Sequence, residues 1–128
     1  MSMDMRDMAA TLVSLDEATR RAMLKARLEA FASMEDDERT KAMAEMLNAI
    51  HTLSDDDHRT LVASRTWALS ELPHEVQVTL ARSHMAAPGS LAPAQRQREA
   101  AAMQAGVQGL GGTAREKVMA AMQQAQGR

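Results

Sequence analysis

Apolar side chains recur along this chain at one fixed interval. A leucine or methionine stands every 19 residues, at Leu15, Met34, Leu53, Leu72, Leu91 and Leu110. Between these positions, further largely apolar residues follow in steps of four, three and four, which is the spacing of one face of an α-helix. A constant period of this length is typical of repeat architectures. The pattern therefore predicts an all-α protein built from tandem ~19-residue single-helix repeats.

Capping residues and breakers place the predicted helices at about 15–33, 36–51, 55–71 and 73–86. Ser14 followed by Glu17 fits a capping box, the acids after Ser54 suit a helix N-terminus, and Pro73 suits a first turn. Links of two to four residues predict that neighbouring helices run antiparallel. The predicted fold is an antiparallel helical array, and the sequence leaves open a short solenoid or a compact helix bundle.

The composition changes near residue 88. All six glycines lie at or beyond Gly89, and the later segment is rich in alanine and glutamine. We predict three parts: an N-terminal partial repeat or flexible arm at 1–14, a core of four helices at 15–87, and a weaker two-helix tail at 88–128. The tail helices are expected at about 93–105 and 113–124.

Composition also limits the function classes. The chain has no cysteine and a formal net charge of −2, which argues against a general nucleic-acid binder. No apolar run is long enough to span a bilayer, and the acidic N-terminus does not resemble a secretory signal, so we expect a cytoplasmic protein. Phosphate-binding loops, nucleophile motifs and carboxylate pairs outside helix caps are lacking, so we expect neither an enzyme nor a cofactor.

A basic or polar residue recurs five positions after each repeat leucine or methionine. The row reads Arg20, Arg39, His58, Gln77, Arg96 and Arg115. An exposed row of guanidinium groups would bind anions, because arginine pairs bidentately with carboxylate and phosphate. A structural role is the alternative, with each arginine pairing with the acidic cap of the adjacent unit. We favour the structural role for Arg20, Arg39, Arg96 and Arg115.

Methionine and histidine supply the candidate ligand residues. Most internal methionines fall on predicted core positions, where they serve as adaptable packing. The N-terminal group, with Met1, Met3 and Met5, offers soft thioethers that suit Cu(I). His58 and His84 are the histidines most suited to a metal or haem between helices, although no metal-binding spacing such as H-x-x-H is present.

The expected function is a non-enzymatic helical module for protein–protein interaction or oligomerisation, with an adaptor or regulatory role. The partner is another protein or a second copy of the chain. Alternatives are a small-molecule or metal carrier (haem or copper) and an anionic-ligand or nucleic-acid-associated regulator that uses the arginine row. The predicted partner-binding residues are Trp67, Arg27, Arg65, Met85 and Met103. Trp67 is either a plug in the core or an exposed anchor for the partner, and the second role is suggested because tryptophan is enriched at binding hot spots.

Overall fold

The described part of the chain folds entirely into α-helices and the turns between them. A computed structural model describes residues 4–87 and 91–127. Its helices are α1 (Met5–Ser14), α2 (Glu17–Ala32), α3 (Asp36–Ile50), α4 (Asp55–Ser70), α5 (His74–Ala86), α6 (Pro93–Gln108) and α7 (Gly112–Gly127). The all-α prediction is confirmed. Successive helices from α2 to α7 begin 19 residues apart, whereas the equivalence of the units as repeats stays a prediction.

Helix starts are stabilised by polar side chains, though not always by the predicted ones. Ser54 accepts a hydrogen bond from the Asp57 amide, as expected of a residue before α4. The predicted capping box at Ser14 is wrong, because Ser14 ends α1 and its hydroxyl donates to the Thr11 carbonyl. Asp16 caps α2 instead, accepting from the Thr19 amide. The predicted arm at 1–14 thus contains the helix α1, while the division into arm, core and tail stays a prediction.

Each helix packs against the helix two places further along the chain. One row contains α1, α3, α5 and α7, and a second row contains α2, α4 and α6. The rows contact each other through pairs such as α2 with α5 and α1 with α4. Consecutive helices therefore lie in different rows, and the protein is a two-layer helical bundle.

The largest part of the core lies between the rows and is filled by leucine, methionine, isoleucine and one phenylalanine. Leu47 and Val62 are fully buried there, and Phe31 lies in the same cluster. The last helix packs through smaller side chains, with Ala121 and Ala125 against α5. Among the described residues, no helix is long and apolar enough to cross a membrane.

The buried members of the arginine row bind the end of the preceding helix. Arg39 is only 7% exposed, and its guanidinium donates to the carbonyls of Phe31 (3.0 Å), Ala32 and Met34. The first two carbonyls lie in the last turn of α2, where intrahelical donors run out, and that of Met34 lies in the turn that leads to α3. A charged side chain of α3 thereby fixes the turn between α2 and α3.

The same arrangement recurs along the row. Arg20 donates to the carbonyls of Val13 and Leu15, Gln77 donates to those of Leu69 and Leu72, and Arg96 donates to that of Leu91. The acid that pairs with each buried arginine precedes it by three residues on the same helix, Glu17 for Arg20 and Asp36 for Arg39. These pairs differ from the predicted ones, which joined an arginine to the cap of the adjacent unit. No side-chain bond is described for Arg115.

Replacing Arg39 with methionine is expected to lower the free energy of unfolding by about 2–3 kcal/mol, because buried carbonyls lose a charged donor. Chemical denaturation measures this loss. Arg59→Met is the matched control, since Arg59 is exposed and pairs only with exposed Asp56; surface pairs of this kind contribute about 0–1 kcal/mol. Equal destabilisation by both variants would contradict the capping role.

Helices α4 and α6 approach closely at Gly106. A β-carbon at this position would lie 2.9 Å from the Thr66 hydroxyl oxygen and 3.2 Å from its β-carbon. Both residues are buried, and the Thr66 hydroxyl is already held by a bond to the Val62 carbonyl. A larger residue than glycine therefore requires the Thr66 side chain to move or α4 and α6 to separate.

Gly106→Val is expected to destabilise the protein by about 1–3 kcal/mol through overpacking. Thermal or chemical denaturation measures the change, and a second substitution, Thr66→Ala, should recover part of the loss. Gly111→Val serves as the control because no atom lies within 4 Å of its β-carbon position. A neutral Gly106→Val variant would show that α4 and α6 separate easily.

Candidate functional site

A carboxylate is buried in the bundle and surrounded by four basic side chains. Glu99 is 3% exposed, and its Oε2 lies 2.6 Å from Nη2 of Arg65 and 2.9 Å from Nε2 of His84. Its Oε1 lies 3.3 Å from Nε2 of His58 and 3.6 Å from Nε2 of His51. We call these five residues the Glu99 cluster. Each carboxylate oxygen therefore faces a different pair of side chains.

Four helices bring the cluster together. His58 lies in the first turn of α4, and Arg65 follows seven residues later on the same face. His51 ends α3, His84 lies near the end of α5, and Glu99 lies in the second turn of α6. Glu99 is the single acid of α6. Because α6 packs directly on α4, Glu99 meets His58 and Arg65, which share one face of α4.

The cluster holds Glu99 ionised. Burial alone raises the pKa of Glu99, but the Arg65 charge and the hydrogen bonds from His58 and His84 outweigh it and hold that pKa well below its usual range. An ionised carboxylate only accepts hydrogen bonds, so Nε2 of both His58 and His84 must carry the proton it donates. Burial, and then the neighbouring His58, lowers the pKa of His51, against an opposing effect of Glu99. We therefore expect the His51 ring to be neutral at neutral pH.

The depressed pKa of Glu99 predicts acid sensitivity. A group whose folded pKa is lowered stabilises the protein above its unfolded value, here about 4.5, and that contribution is lost as the pH falls below it. The loss amounts to about 1.4 kcal/mol per pH unit. Denaturation from pH 6 to pH 3 in a metal chelator measures it. The Glu99→Gln variant should show a slope flatter by this amount, and identical slopes would contradict the ionised state.

Several polar atoms of the cluster are buried without a hydrogen-bond partner among the described residues. They are both ring nitrogens of His51, Nδ1 of His58 and Nη1 of Arg65. The His51 and His58 rings contact each other with centroids 4.6 Å apart and planes inclined by 37°. One ligand atom from each of His51, His58 and Glu99 falls within 4.8 Å of the others. These three residues are therefore the candidate metal ligands of the described chain.

A large cleft adjoins the cluster. Its volume is about 640 Å³, and two cluster residues, Arg65 and His84, form part of its wall. Methionine is the commonest residue of the lining, so we call it the Met-lined cleft. It is lined by Leu28, Met43, Arg65, Thr66, Leu69, Leu80, Ala81, His84, Met85, Ala100, Met103, Gln104, Val107, Gln108, Met119, Met122, Gln123 and Gln126.

The last two helices each contribute one continuous stripe to the cleft. The α6 stripe consists of Ala100, Met103, Gln104, Val107 and Gln108. The α7 stripe consists of Met119, Met122, Gln123 and Gln126. Both sets follow the i, i+3, i+4, i+7 spacing of a single helical face. Both stripes therefore border the open cleft, although Val107 and Met122 also pack in the cluster that contains Leu110 and Val118.

The structure places three of the five predicted partner-binding residues in the cleft, namely Arg65, Met85 and Met103. Trp67 does not line it. The indole is partly buried against Val107, Leu110 and Val118, with the Arg21 guanidinium 4.2 Å above the ring. Trp67 therefore packs against α6, α7 and the turn between them.

The residues predicted as possible metal or small-molecule ligands do not all lie at one site. His58 and His84 meet at Glu99, as a shared site requires. Arg27 and Met5 line a separate small cavity of about 20 Å³, in which the Arg27 guanidinium contacts the Met8 sulfur. That volume is about enough for one water molecule. Met1 and Met3 lie outside the described residues.

Sequence reasoning missed Glu99 and His51 as site residues. A signal for Glu99 was present, because the equivalent positions of the neighbouring units hold Leu61, Leu80 and Val118, which are all buried. A charged residue at a position that is otherwise apolar indicates a buried polar site. His51 carries no comparable signal, because it follows a helix end where a polar residue is ordinary.

The Glu99 cluster and the Met-lined cleft are joined through Arg65 and His84. Together they give the protein a polar centre beside an apolar surface. Comparison of the chain with protein-family models, with curated proteins and with solved structures finds no match.

Proposed function

We propose that this protein binds an amphipathic helix of a partner protein in the Met-lined cleft. The observation that supports the proposal is the pair of helical stripes on α6 and α7 that line the same open cleft. Helices that present such stripes normally pack against another helix. A helix is therefore the occupant whose shape and periodicity match the cleft best.

The dimensions agree with this occupant. The α6 stripe spans residues 100–108, which corresponds to about 12 Å, or roughly two helical turns. A partner helix of two to three turns would present residues at i, i+3 or i+4, and i+7 to both stripes. A partner with small or medium apolar side chains at these positions would fill the space along the α6 and α7 stripes.

The composition of the lining also favours a helix of a partner protein. Five methionines contribute flexible thioether side chains, which adapt to an apolar surface of variable shape. They are Met43, Met85, Met103, Met119 and Met122. Four glutamines of α6 and α7 supply neutral hydrogen-bonding groups. We therefore expect a partner helix with uncharged polar residues beside its apolar face.

The predicted binding residues take different roles in this proposal. Met85 and Met103 would contact the partner directly, and Arg65 would set its register from the cleft wall. Trp67 would act indirectly by supporting α6 and α7, whereas Arg27 would take no part. A module of this kind needs no catalytic group and fits an adaptor or regulatory role, which we assign to the cytoplasm.

The test uses two exposed methionines as a matched pair. Met119 lies in the cleft and is 51% exposed, whereas Met23 lies elsewhere and is 47% exposed. A photoreactive amino acid at position 119 should crosslink one polypeptide in host cells, and the same group at position 23 should not. A helical segment of that polypeptide should then bind the purified protein. Crosslinks only between copies of this chain, or equal labelling at both positions, would overturn the proposal.

A small-molecule carrier is the second candidate, favoured by the volume of the cleft. Ligand pockets commonly measure about 300–1,000 Å³ and combine an apolar lining with a few polar groups. Arg65 and His84 provide such groups here. A native mass spectrum of protein purified gently from its host distinguishes the two, because a bound small molecule adds a fixed mass.

The third alternative is a row of arginines that binds anions. Two residues of the row are not available for this role, because Arg20 and Arg39 are buried and already hydrogen-bonded within the protein.

A further inference from the structure

The imidazoles of His51 and His58 face the same carboxylate oxygen. Their Nε2 atoms lie 3.6 and 3.3 Å from Oε1 of Glu99. In a tetrahedral zinc site with ligand bonds of about 2.0–2.1 Å, neighbouring ligand atoms lie about 3.3–3.4 Å apart. Both histidine nitrogens are thus already close to a ligand-like distance from Oε1, and the three ligand atoms all lie within 4.8 Å of one another.

His51 gives an independent reason to expect a ligand here. Its ring is buried, yet neither nitrogen has a hydrogen-bond partner among the described residues. Leaving a buried polar atom unpaired is unfavourable. Coordination through Nε2 would remove one of these unpaired atoms.

We propose that His51, His58 and Glu99 bind one Zn²⁺ or a similar divalent transition-metal ion. Two imidazoles and one carboxylate are a ligand set that zinc uses in proteins, with a fourth position left for water or another ligand. Oxygen-rich sites suit Mg²⁺ and Ca²⁺ instead, so these ions are not expected to compete.

The rest of the cluster suits a supporting role. Arg65 and His84 hold the other carboxylate oxygen, Oε2, at 2.6 and 2.9 Å. Groups that orient a ligand in this way are typical of metal sites. The Arg65 charge has the same sign as that of the ion, and this excess of positive charge favours an anion such as hydroxide at the fourth position. His84 is the partly exposed member and lines the Met-lined cleft, so the cluster has one side towards solvent.

Binding requires a proton to move. In the metal-free protein, Nε2–H of His58 donates to Glu99, so coordination through Nε2 needs the tautomer that carries its proton on Nδ1. The ion takes the place of the hydrogen bond between His58 and Glu99.

Titration of chelator-treated protein with Zn²⁺ or Co²⁺ tests this proposal. We expect one ion per chain, visible absorption bands of four-coordinate Co²⁺, and a rise in melting temperature with zinc. The informative variant is His58→Gln, because a buried glutamine, Gln77, stands at the same place in the first turn of α5. His58→Gln and His51→Gln should each weaken zinc binding by about 100-fold or more, since even loss of a supporting group weakens metal binding by about 10–100-fold.

His74→Gln is the control, because His74 is exposed and hydrogen-bonded to Gln124, away from the cluster. It should bind zinc like the unaltered protein. Absence of stoichiometric binding by the unaltered protein would overturn the proposal. Binding that survives in folded His58→Gln and His51→Gln variants would overturn it as well.

Discussion

Replacing Glu99 with leucine is expected to lower the free energy of unfolding by about 3–5 kcal/mol in metal-free protein. The substitution leaves the Arg65 guanidinium buried beside unpaired histidines, and removing one partner of a buried ion pair is strongly destabilising for this reason. Urea denaturation in a chelator measures the change.

The double variant separates the ion pair from simple loss of packing. Replacing both Glu99 and Arg65 with leucine should be less destabilising than the sum of the two single changes, because no charge is then left unpaired. Glu116→Leu is the surface control, since Glu116 is the other acid of the last two helices and is exposed. Additive effects of the two cluster substitutions would contradict the strong coupling that the 2.6 Å contact implies.

Replacing Met103 with glutamate is expected to weaken binding of the partner helix by about 30-fold or more. Met103 lies in the middle of the α6 stripe, and central apolar contacts carry most of the energy of an interface, at about 2 kcal/mol or more each. A buried glutamate would also need a partner for its charge. Fluorescence anisotropy with the helical segment of the crosslinked partner measures the affinity.

Met23→Glu is the matched control for this prediction, because Met23 is an exposed methionine outside the cleft. It should bind the helix normally. The Met103→Glu variant must keep the circular dichroism spectrum of the unaltered protein for the comparison to hold. Equal affinities of the two variants for the helix would exclude the α6 stripe from the interface.

The helices were predictable because local sequence determines them. Apolar periodicity and turn residues located all the helices after residue 14 to within a few residues, and the acids after Ser54 marked the start of α4. Ser14 misled the prediction because Asp16, two residues later, offers the same kind of side-chain acceptor and lies at the observed helix start.

The site was less predictable because it depends on contacts between distant segments. The pairing of each helix with the second helix along the chain brings His58 to Glu99, 41 residues later. His51 and His84 come from two further helices. The sequence showed an acid at an apolar position, but it did not show which helices would face that position. From its residue type alone, Trp67 could be a core plug or an anchor for a partner. The structure shows it partly buried against Val107, Leu110 and Val118, and a part in binding stays a prediction.

The cleft could be anticipated only in part. The weaker apolar faces of the last two helices indicated unused surface, and Met85 and Met103 both line the cleft, although their part in binding stays a prediction. The open space itself depends on how α6 packs on α4 and α7 on α5, while α6 and α7 still meet in the cluster of Val107, Leu110 and Val118. The cleft therefore depends on how whole helices pack, which the sequence of a single helix does not show.

Nuclear magnetic resonance of the methionine methyl groups tests the central claim most directly. The protein is labelled at its methionine methyls and titrated with the partner helix identified by crosslinking. The account predicts shifts for the cleft methionines, including Met85, Met103 and Met119, and unchanged signals for Met23 and Met34, which lie outside it. Shifts confined to Met23 or Met34, with the cleft signals unchanged, would contradict binding in the Met-lined cleft.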